Sequence, residues 1–573
     1  MTAVRARNVE AWRVGALSAV LLVLVGSSVS EARAEVLGQD RRIDWQPGVP
    51  GGIPPRNTVC ANVVTDYGAK GDGVADDSSA IQRAIDSCPA GQVVYIPPGT
   101  YRLNDLLSIT KGVVLRGAGP EATQLKTYAE WHGIQLGGWP SSPVDTNVSG
   151  SPSKGVVTLS VSSVSSPALA PGDFVVIDQT NDGVEVVNVD DESRDGGTRA
   201  LSQMTRITAV NGLSISIDPP LYHAYSAARS PQVWKVNQGV SMTTFAGVEN
   251  LRLDRVSPTG FEGYSNIKIV ACAYCWVRNV RSKTAQFRHV DLDRSFRCEI
   301  RDSFFDDGMH HGTGGFAYGV VAANRSTDNL VENNIFYRLR HSMVIKEGAA
   351  GNVFGYNYSA ASYQGENWLA ADMNAHGAHS HMNLFEGNIG AKIYADFTHG
   401  SSSYNTFLRN HVIRDSSALS VTNARRAVDV ERTQYYYNFL GNVLGLDGQS
   451  WTAFEDSGSR SAGAGMYVYT WGYPSDGAGT SVDSNSKSTS VRHGNYDYQT
   501  RSTRWEAGIA DRDLPPSLYL VSKPPFFGGL PWPSIGSDRV PMGGTIPAKE
   551  RFEGRPVAPA GANPNPPANL RVE

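Results

Sequence analysis

The stretch "DYGAKGDGVADDSSAIQRAID", residues 66–86, places many turn residues directly before one short helix. Asp76 and Asp77 are good N-cap residues for that helix. Its apolar residues recur at helical spacing and form one face: Ala80, Ile81, Ala84 and Ile85. Stacked parallel strands leave an open end that exposes core and unpaired backbone, and a short amphipathic helix covers both. The stretch therefore predicts a cap and not a catalytic element.

The chain that follows the cap reads as short strands. "GQVVYIPPGTYRL", residues 91–103, gives two β-runs around a Pro-Gly turn, and "GVVLRGAG" at 112–119 adds another. Gly is abundant, with 59 among 573 residues, and charged residues make up only 18%. This composition is typical of a β-rich extracellular protein and not of a helical bundle.

A repeat runs from about residue 248 to 445. An apolar residue with Asn three positions later recurs at Val331/Asn334, Phe354/Asn357, Phe385/Asn388, Phe407/Asn410 and Phe439/Asn442, in steps of 23, 31, 22 and 32 residues. Self-similarity at this period indicates a solenoid, and Val, Ile, Phe and Tyr alternating with polar residues favour strands. We predict one coil of a parallel β-helix per repeat, with the Phe and Asn side chains stacked as ladders.

The two ends and the middle of the chain differ from the repeat. Residues 1–34 carry early arginines, an apolar run at 14–25 and an A-x-A site, which predicts a signal peptide cleaved after Ala34 and a secreted protein. We assign 35–149 to the cap and first coils, 150–235 to a small inserted β-domain and 236–450 to the main coils. Residues 451–555 form an irregular C-terminal flank, and 556–573 a Pro-rich linker.

Charge excludes some partners. Removing residues 1–34 takes away four Arg and two Glu and moves the formal net charge from −4 to −6. A mildly acidic chain gives no support to nucleic-acid binding, and no later segment is long and apolar enough for a membrane helix.

Five cysteines allow limited pairing in an exported protein. A bond between Cys60 and Cys88 would tie the capping helix to the strand before it. Cys272, Cys275 and Cys298 are expected to stack as core thiols, because a zinc site would need more ligands at tighter spacing.

Alternation along the repeat strands predicts one wall that carries acids, a lysine and rings. Outward side chains on neighbouring coils lie about 4.8 Å apart. The outward residues expected there are Lys346, Asp372, Asn374, His376, Tyr394, Asp396 and Thr398, with His289, Asp291, Asp293, Asp429 and Glu431 on flanking coils. Asp372 and Asp396 would be near neighbours, with Lys346 one coil away. Like charges this close raise the pKa of one of the two carboxyl groups, unless a cation, a proton or a substrate occupies this strip of outward side chains.

Other clusters admit two interpretations. His376, His379 and His381 could ligate a metal or serve as turn residues, and His399 follows within the same stretch. Asp306-Asp307 could be a catalytic pair or a turn.

The motif "NVVTDYGAKGDGVADDSSAIQRAI", with "VVYIPPGTYRL" and "VVLRGAG", resembles the pectate-lyase superfamily, in its rhamnogalacturonase and epimerase-like group. The resemblance covers residues 62–119 closely and implies an all-β, right-handed parallel β-helix. The group includes lyases, glycoside hydrolases and phage tail depolymerases. Calcium-dependent lyases of this fold hold the ion with groove carboxylates and use Arg or Lys as base. The resemblance thus implies Asp372 and Asp396 as Ca²⁺ ligands, and Lys346 as base.

We therefore expect a secreted enzyme that cleaves a uronate-containing polysaccharide by β-elimination. Lys346, Asp372 and Asp396 would form its catalytic group. Substrate-binding candidates are Arg338, Arg340, His376, His399, Trp368 and Tyr394. A glycoside hydrolase with paired Asp residues, Asp372 with Asp396 or Asp306 with Asp307, is the first alternative. A non-catalytic glycan-binding surface protein is the second.

Overall fold

The computed structural model of the protein describes residues 36–555, except 191–193, 237–238, 240–241, 257–262, 313, 366, 416–420, 457–464 and 475–481. The predicted signal peptide, its cleavage site and the Pro-rich linker lie outside the described residues. No helix within these ranges is long and apolar enough to cross a bilayer.

The described chain is a parallel β-helix with three walls of stacked strands. Wall 1 carries the site described below. In spatial order its strands are Leu107–Ile109, Ile134–Leu136, Ile267–Val270, Arg288–Asp293, Tyr318–Ala323, His341–Ile345, Met373–Ala375, Ile393–Ala395, Arg426–Glu431, Tyr467–Tyr473 and Ala453–Glu455. Each strand pairs in parallel with the strand of the next coil, which confirms the predicted fold class.

Wall 2 begins beside the cap. Its strands are Val59–Asn62, Val93–Ile96, Val114–Gly117, Gly247–Arg255, Trp276–Ala285, Glu299–Arg301, Leu330–Glu332, Val353–Gly355, Leu384–Glu386, Thr406–Leu408, Asn438–Leu440 and Val491–His493. The long strands Gly247–Arg255 and Trp276–Ala285 continue into wall 3. The other strands of wall 3 are Asp72–Asp76, Gly99–Leu103, Thr123–Thr127, Phe304–Gly308, Ile335–Tyr337, Tyr358–Ala360, Ile389–Gly390, His411–Val412, Val443–Leu444, Asn495–Asp497 and the antiparallel Ser502–Arg504.

A separate antiparallel sheet, the inserted sheet, lies between the second and third coils of wall 1 in sequence. Its strand order is Thr158–Ser160, Ser214–Asp218, Ser202–Asn211, Phe174–Asp178, Gln232–Lys235 and Asp145–Asn147. Two small pairs join Thr243–Thr244 to Cys272–Ala273 and Ser402–Ser403 to Gln434–Tyr435. Among the described residues the α-helices are Ser78–Ser87, Ser484–Ser488 and Pro547–Phe552, and the 3₁₀ turns are Gln39–Arg41, Ala227–Arg229 and Pro525–Phe527. The segment Arg194–Gly197 is a turn in which Asp195 and Gly196 have positive φ. The domain boundaries given above remain predictions.

The capping helix Ser78–Ser87 buries Ile81, Ala84 and Ile85 in the main core, as predicted. Capping differs in detail, because the Asp77 carboxylate accepts from the backbone of Lys70 and Gly71 instead of from its own helix. Cys60 and Cys88 form the expected disulfide. Cys272, Cys275 and Cys298 are free and buried. The cap is thus covalently tied to the first coil.

The predicted ladders are confirmed. The Phe354, Phe385, Phe407 and Phe439 rings stack at 4.8–5.5 Å between centroids. In the Asn ladder, each Nδ2–H donates to Oδ1 of the next Asn at 2.9–3.0 Å, through Asn334, Asn357, Asn388, Asn410, Asn442 and Asn495. A second, unpredicted ladder runs through Asn329, Asn352, Asn383 and Asn405. These hydrogen bonds satisfy the buried turns and fix the register of the coils.

Candidate functional site

Strand register on wall 1 places three of the predicted residues in one row. Met343, Met373 and Ile393 are paired and point into the core, as do Ile345, Ala375 and Ala395. One residue beyond the second set, Lys346, His376 and Asp396 follow on successive coils. With coils about 4.8 Å apart, His376 lies between the lysine and the carboxylate.

His376 and Asp396 form a hydrogen-bonded pair. His376 Nδ1 lies 2.8 Å from Asp396 Oδ2. Because an ionised carboxylate only accepts, Nδ1 carries the proton and Nε2 keeps its lone pair. Asn374 Nδ2 also donates to Asp396 Oδ2, at 2.9 Å, and the Thr398 backbone donates to Oδ1 at 3.1 Å. Asp396 therefore holds His376 in one tautomer.

Burial and the partner charge set the protonation of this pair. Burial lowers the pKa of His376 below its ordinary value, although Asp396 opposes that shift. Burial alone would raise the pKa of the Asp396 carboxyl, but attraction to His376 and the hydrogen bonds from His376 and Asn374 lower it well below its usual range. The arrangement favours a carboxylate next to a neutral imidazole, which is the state of a general base.

Tyr318 completes the group. Its Oη lies 3.3 Å from His376 Nε2, so the phenol donates to the lone pair of the imidazole. Burial raises the pKa of Tyr318, with Arg340 and Lys346 opposing. His341 packs edge-on against Tyr318 at 4.9 Å, and its Nδ1 donates to the Ala371 carbonyl at 2.9 Å. Burial lowers the pKa of His341 well below its ordinary value.

Two cations flank the group. The Arg340 guanidinium lies 5.9 Å from the Tyr318 ring centroid and 5.8 Å from that of Trp368. Lys346 Nζ pairs with Glu347 Oε1 at 2.7 Å. Buried Arg340 Nε and Asn374 Oδ1 have no hydrogen-bond partner within the described ranges. Arg340 Nε is a donor that suits an anionic oxygen of a ligand, and Asn374 Oδ1 is an acceptor that suits a hydroxyl group.

Other nominated binding residues lie differently. His399 is close to the centre, with its ring 4.8 Å from that of His376. The Tyr394 hydroxyl donates to Glu431 at 2.7 Å, and Lys392 covers its ring at 4.3 Å, so Tyr394 has less free surface than expected. Arg338 is engaged by other residues than those of the His376 group: its Nε lies 3.4 Å from Asp307, and its guanidinium lies over the Tyr363 ring.

Asp372 does not lie where alternation placed it. Its backbone pairs with Lys392, four positions before Asp396, which separates the two by about 13 Å along the strand direction at about 3.3 Å per residue. Ser342, Ser359 and Ser362 donate to its carboxylate at 2.7–2.9 Å, and the Ala391 backbone donates at 2.6 Å. The expected Asp372–Asp396 pair is therefore wrong. Burial raises the pKa of Asp372 despite these donors.

The nominated calcium ligands do not fit the ion. Both Asp396 oxygens and both Asp372 oxygens accept from protein donors, whereas Ca²⁺ requires oxygen lone pairs that converge on one point. Within the described ranges no group of three or more His, Cys, Asp or Glu side chains is placed to hold a metal. The nominated base also needs correction, because an ammonium paired with Glu347 offers no lone pair.

The remaining clusters are structural in this arrangement. His379 and His381 are buried, and His379 bonds Ser401 and Ser403 through its two ring nitrogens. Asp306 accepts from Arg281 at 2.8 Å. His289, expected to point outward, is buried against Phe305 and hydrogen-bonded to Ser282.

Tyr318 and His341 are not among the site residues that alternation predicts, and Asn374 is predicted to point outward without a role. The first two pair in register on adjacent coils. Aligning "FAYGVVAAN" with "HSMVIKEG" as successive strands would have brought Tyr318 next to His341.

Comparisons with known proteins agree with the cap motif. The family model described as Rhamnogalacturonase A/epimerase, pectate lyase-like matches residues 60–157. Mannuronan C5-epimerase AlgE6 of Azotobacter vinelandii is 46% identical over 72 residues, which are 11% of this chain and 8% of the epimerase. Exo-poly-alpha-D-galacturonosidase of Dickeya chrysanthemi is 36% identical over 77 residues, 11% of this chain and 13% of that enzyme. The matches thus span about a tenth of each relative.

Among solved structures, the tailspike protein gp49 from Pseudomonas phage LKA1 is similar with a TM-score of 0.48 and 18% identity. The similarity covers 67% of this chain and 64% of the tailspike. Residues 60–157 thus match the pectate lyase-like family model, and the coils that follow them stack as a parallel β-helix.

Proposed function

We propose that this protein is a polysaccharide lyase that cleaves a uronate-containing glycan by β-elimination on wall 1. The observation that carries the proposal is the hydrogen-bonded series Asp396–His376–Tyr318, which lies beside Arg340 and Lys346. A neutral base, a proton donor and two cations are the groups that this reaction requires.

The first step is removal of the C5 proton of a uronate. The Tyr318 hydroxyl turns from His376 Nε2 to the glycosidic oxygen of the bound sugar, Nε2 then accepts the C5 proton, and Asp396 stabilises the imidazolium that forms. The electron pair of the broken C5–H bond moves toward the neighbouring carboxylate as an enolate-like charge. His376 is therefore the proposed base, in place of Lys346.

The second step breaks the bond between C4 and the glycosidic oxygen. The electron pair at C5 forms the C4=C5 double bond, and the departing oxygen takes a proton from Tyr318 Oη. His376 can then return its proton to the tyrosinate across the 3.3 Å contact, which restores both groups. Burial keeps Tyr318 protonated before the reaction, because it raises the pKa of the phenol.

Arg340 and Lys346 serve the uronate carboxylate. The C5 proton is acidic enough only when the charge of that carboxylate is neutralised, and guanidinium and ammonium groups both supply this. The unpartnered Arg340 Nε gives one free donor for a carboxylate oxygen. Trp368, which shares the Arg340 guanidinium with Tyr318, offers an apolar face for the sugar ring.

The position of base and acid favours particular sugars. Because His376 Nε2 and Tyr318 Oη lie 3.3 Å apart on one wall, both approach the same face of the sugar ring. Such a syn elimination needs the C5 proton and O4 on one face. D-Mannuronate and D-glucuronate meet this condition, whereas D-galacturonate and L-guluronate have them on opposite faces.

The alternatives have weaker support. A retaining or inverting hydrolase needs two carboxylates across the scissile bond. The Asp372–Asp396 register removes one pair nominated for it, and the other pair is engaged by arginines, Asp306 by Arg281 and Asp307 by Arg338. Epimerisation starts with the same proton abstraction but returns a proton to the opposite ring face, where the one-sided His376–Tyr318 pair does not reach. A purely binding protein would not require the Asp396–His376 pair.

A substrate panel tests the proposal. We would incubate the protein with polymannuronate, polyguluronate, polygalacturonate and a polyglucuronate, each with calcium or with chelator. Ultraviolet absorbance from unsaturated ends on the manno or gluco polymers is the expected result. New reducing ends without that absorbance would establish a hydrolase, and C5 deuteration in D₂O without cleavage would establish an epimerase.

A further inference from the structure

The inserted sheet reaches the site wall through one loop. Val187 N donates to Ser401 Oγ at 2.8 Å and Ser401 N donates to the Val187 carbonyl at 2.8 Å. Val189 N donates to the His399 carbonyl at 3.0 Å. Residues 187–190 thus pair along the turn that follows Asp396, in a segment far from it in sequence.

The contact is closely fitted. A Cβ at Gly400 would lie 2.3 Å from the Val187 carbonyl oxygen, and Gly400 has a φ of +137°. Only glycine allows the loop to approach so closely. Val186 of the same loop packs against Ala378 in a small apolar cluster.

At the end of this loop, Asp190 contacts the His399 ring, which in turn contacts His376. His399 Nδ1 lies 2.6 Å from Asp190 Oδ1, so the ring donates to the carboxylate. The His399 ring also meets the His376 ring edge to face, with centroids 4.8 Å apart and an interplanar angle of 79°. Asp190 therefore fixes the ring that lies against the proposed base.

We propose that Asp190 is a positioning residue for the reaction. It holds the His399 imidazole, and this ring keeps His376 aimed at Tyr318 and the sugar. The inserted sheet is then a working part of the site and not an appendage. This inference rests on the proposed function for its kinetic consequence, but the Asp190–His399 bond can be tested without any substrate.

The test compares three variants of the full chain. Asp190→Ala removes the acceptor, and Asp190→Asn keeps an oxygen that can accept from Nδ1 but has no charge. Asp173→Ala is the matched control, because Asp173 also pairs with a cation of the inserted sheet, Lys235 at 2.8 Å, but lies outside the loop. Asp190 is largely exposed, with a side-chain accessibility of 62%, so its replacement removes little packing.

Two readouts separate positioning from folding. In ¹⁵N-histidine spectra, assigned with His399→Asn, we expect the Nδ1-protonated state of His399 to be lost in Asp190→Ala and kept in the control. On the cleaved polymer, kcat should fall about 10- to 100-fold with KM unchanged, the range for losing one hydrogen bond to a charged group. Asp190→Asn should recover part of that loss.

Outcomes for the two proposals are distinct. Unchanged His399 signals, or unchanged kcat with altered signals, in Asp190→Ala would overturn the inference. A wild-type protein that cleaves no uronate polymer would refute the proposed lyase. A change of the His399 spectrum in Asp190→Ala would then still establish the bond between the inserted sheet and the site.

Discussion

Replacing Asp396 with Asn changes one atom type at the centre of the proposed site. The Asp396 carboxylate accepts from three donors: His376 Nδ1 and Asn374 Nδ2 on one oxygen, and the Thr398 backbone on the other. An asparagine has one acceptor oxygen and one NH₂ group. In either orientation its NH₂ group faces a donor, so at least one of the hydrogen bonds must be lost.

The two orientations have different chemical consequences. If the amide oxygen faces His376, the imidazole keeps its Nδ1 proton but loses the anion that stabilises the imidazolium. If the NH₂ group faces His376, the proton moves to Nε2, and the lone pair that would accept the C5 proton disappears. The first outcome weakens general-base catalysis and the second removes it, and this catalysis contributes about 10²- to 10⁴-fold. At about 1.36 kcal/mol per decade this corresponds to about 3–5 kcal/mol of transition-state stabilisation.

The assay follows the initial rate of ultraviolet absorbance from unsaturated ends, with wild type and Asp396→Asn at matched concentrations. We expect kcat to fall by about 10²- to 10⁴-fold while KM changes little, because the base does not bind the ground state. Asp497→Asn is the control, since Asp497 is equally buried and accepts from Thr500 but belongs to the wall 3 strand Asn495–Asp497. A kcat for Asp396→Asn within a few-fold of wild type would refute the proposed roles of both Asp396 and His376.

Four further outcomes are expected. Tyr318→Phe, which keeps the ring but removes the proton donor, should lower kcat by about 10²-fold or more, and a wild-type rate would contradict it. Arg340→Gln should lower kcat with a smaller effect on KM, because the guanidinium stabilises the charge that grows as C5 loses its proton, and an unchanged kcat would assign it another role. Because burial lowers the pKa of His376, its neutral form persists below pH ~6.5; the acidic limb of kcat/KM should therefore lie below that value, and a limb above it would exclude His376 as base. Cys60→Ser opens a loop of 28 residues and should lower the free energy of unfolding by about 3–4 kcal/mol in denaturant titrations, whereas an unchanged midpoint would show that the cap holds without the bond.

The ladders could be predicted because they obey a rule that is visible in one dimension. Each Phe and its Asn, such as Phe385 and Asn388, keep a spacing of three residues in every coil, while the turns between coils vary in length. Burial of stacked rings and paired amides imposes that constancy. The second ladder, from Asn329 to Asn405, has the same cause, and each of its Asn residues lies two positions before the same apolar residue, as Asn383 does before Phe385, so the same alignment contains it.

The site was predicted less well, for a local reason. Wall 1 strands are as short as Met373–Ala375, and side chains alternate only inside a strand. Extending the alternation one residue upstream assigned Asp372 to the groove, whereas the turn directs it into a serine cluster. His376 and Asp396 follow their strands directly, and they stay in the predicted row.

Tyr318 was not predicted because the candidate residues were chosen by their charge. A search for acids and lysines passes over Tyr318, whose strand "YGVVAA" carries no charge. A phenol becomes a proton donor for catalysis only through its neighbours, here His376 at 3.3 Å. That neighbour is 58 residues away in sequence, and only the stacking of coils brings the two together.

The register of the coils links the candidate site on wall 1 to the Asn and Phe ladders. Tyr318, His341, His376 and Asp396 come from four successive coils, so their mutual geometry depends on each coil keeping its alignment with the next. A slip of one residue would turn the affected side chains to the other face of the wall. Strands of three to six residues fix such alignment weakly by themselves. The Asn and Phe ladders on wall 2 and in its turns therefore supply the precision that the His376–Asp396 contact requires, even though no ladder residue touches it.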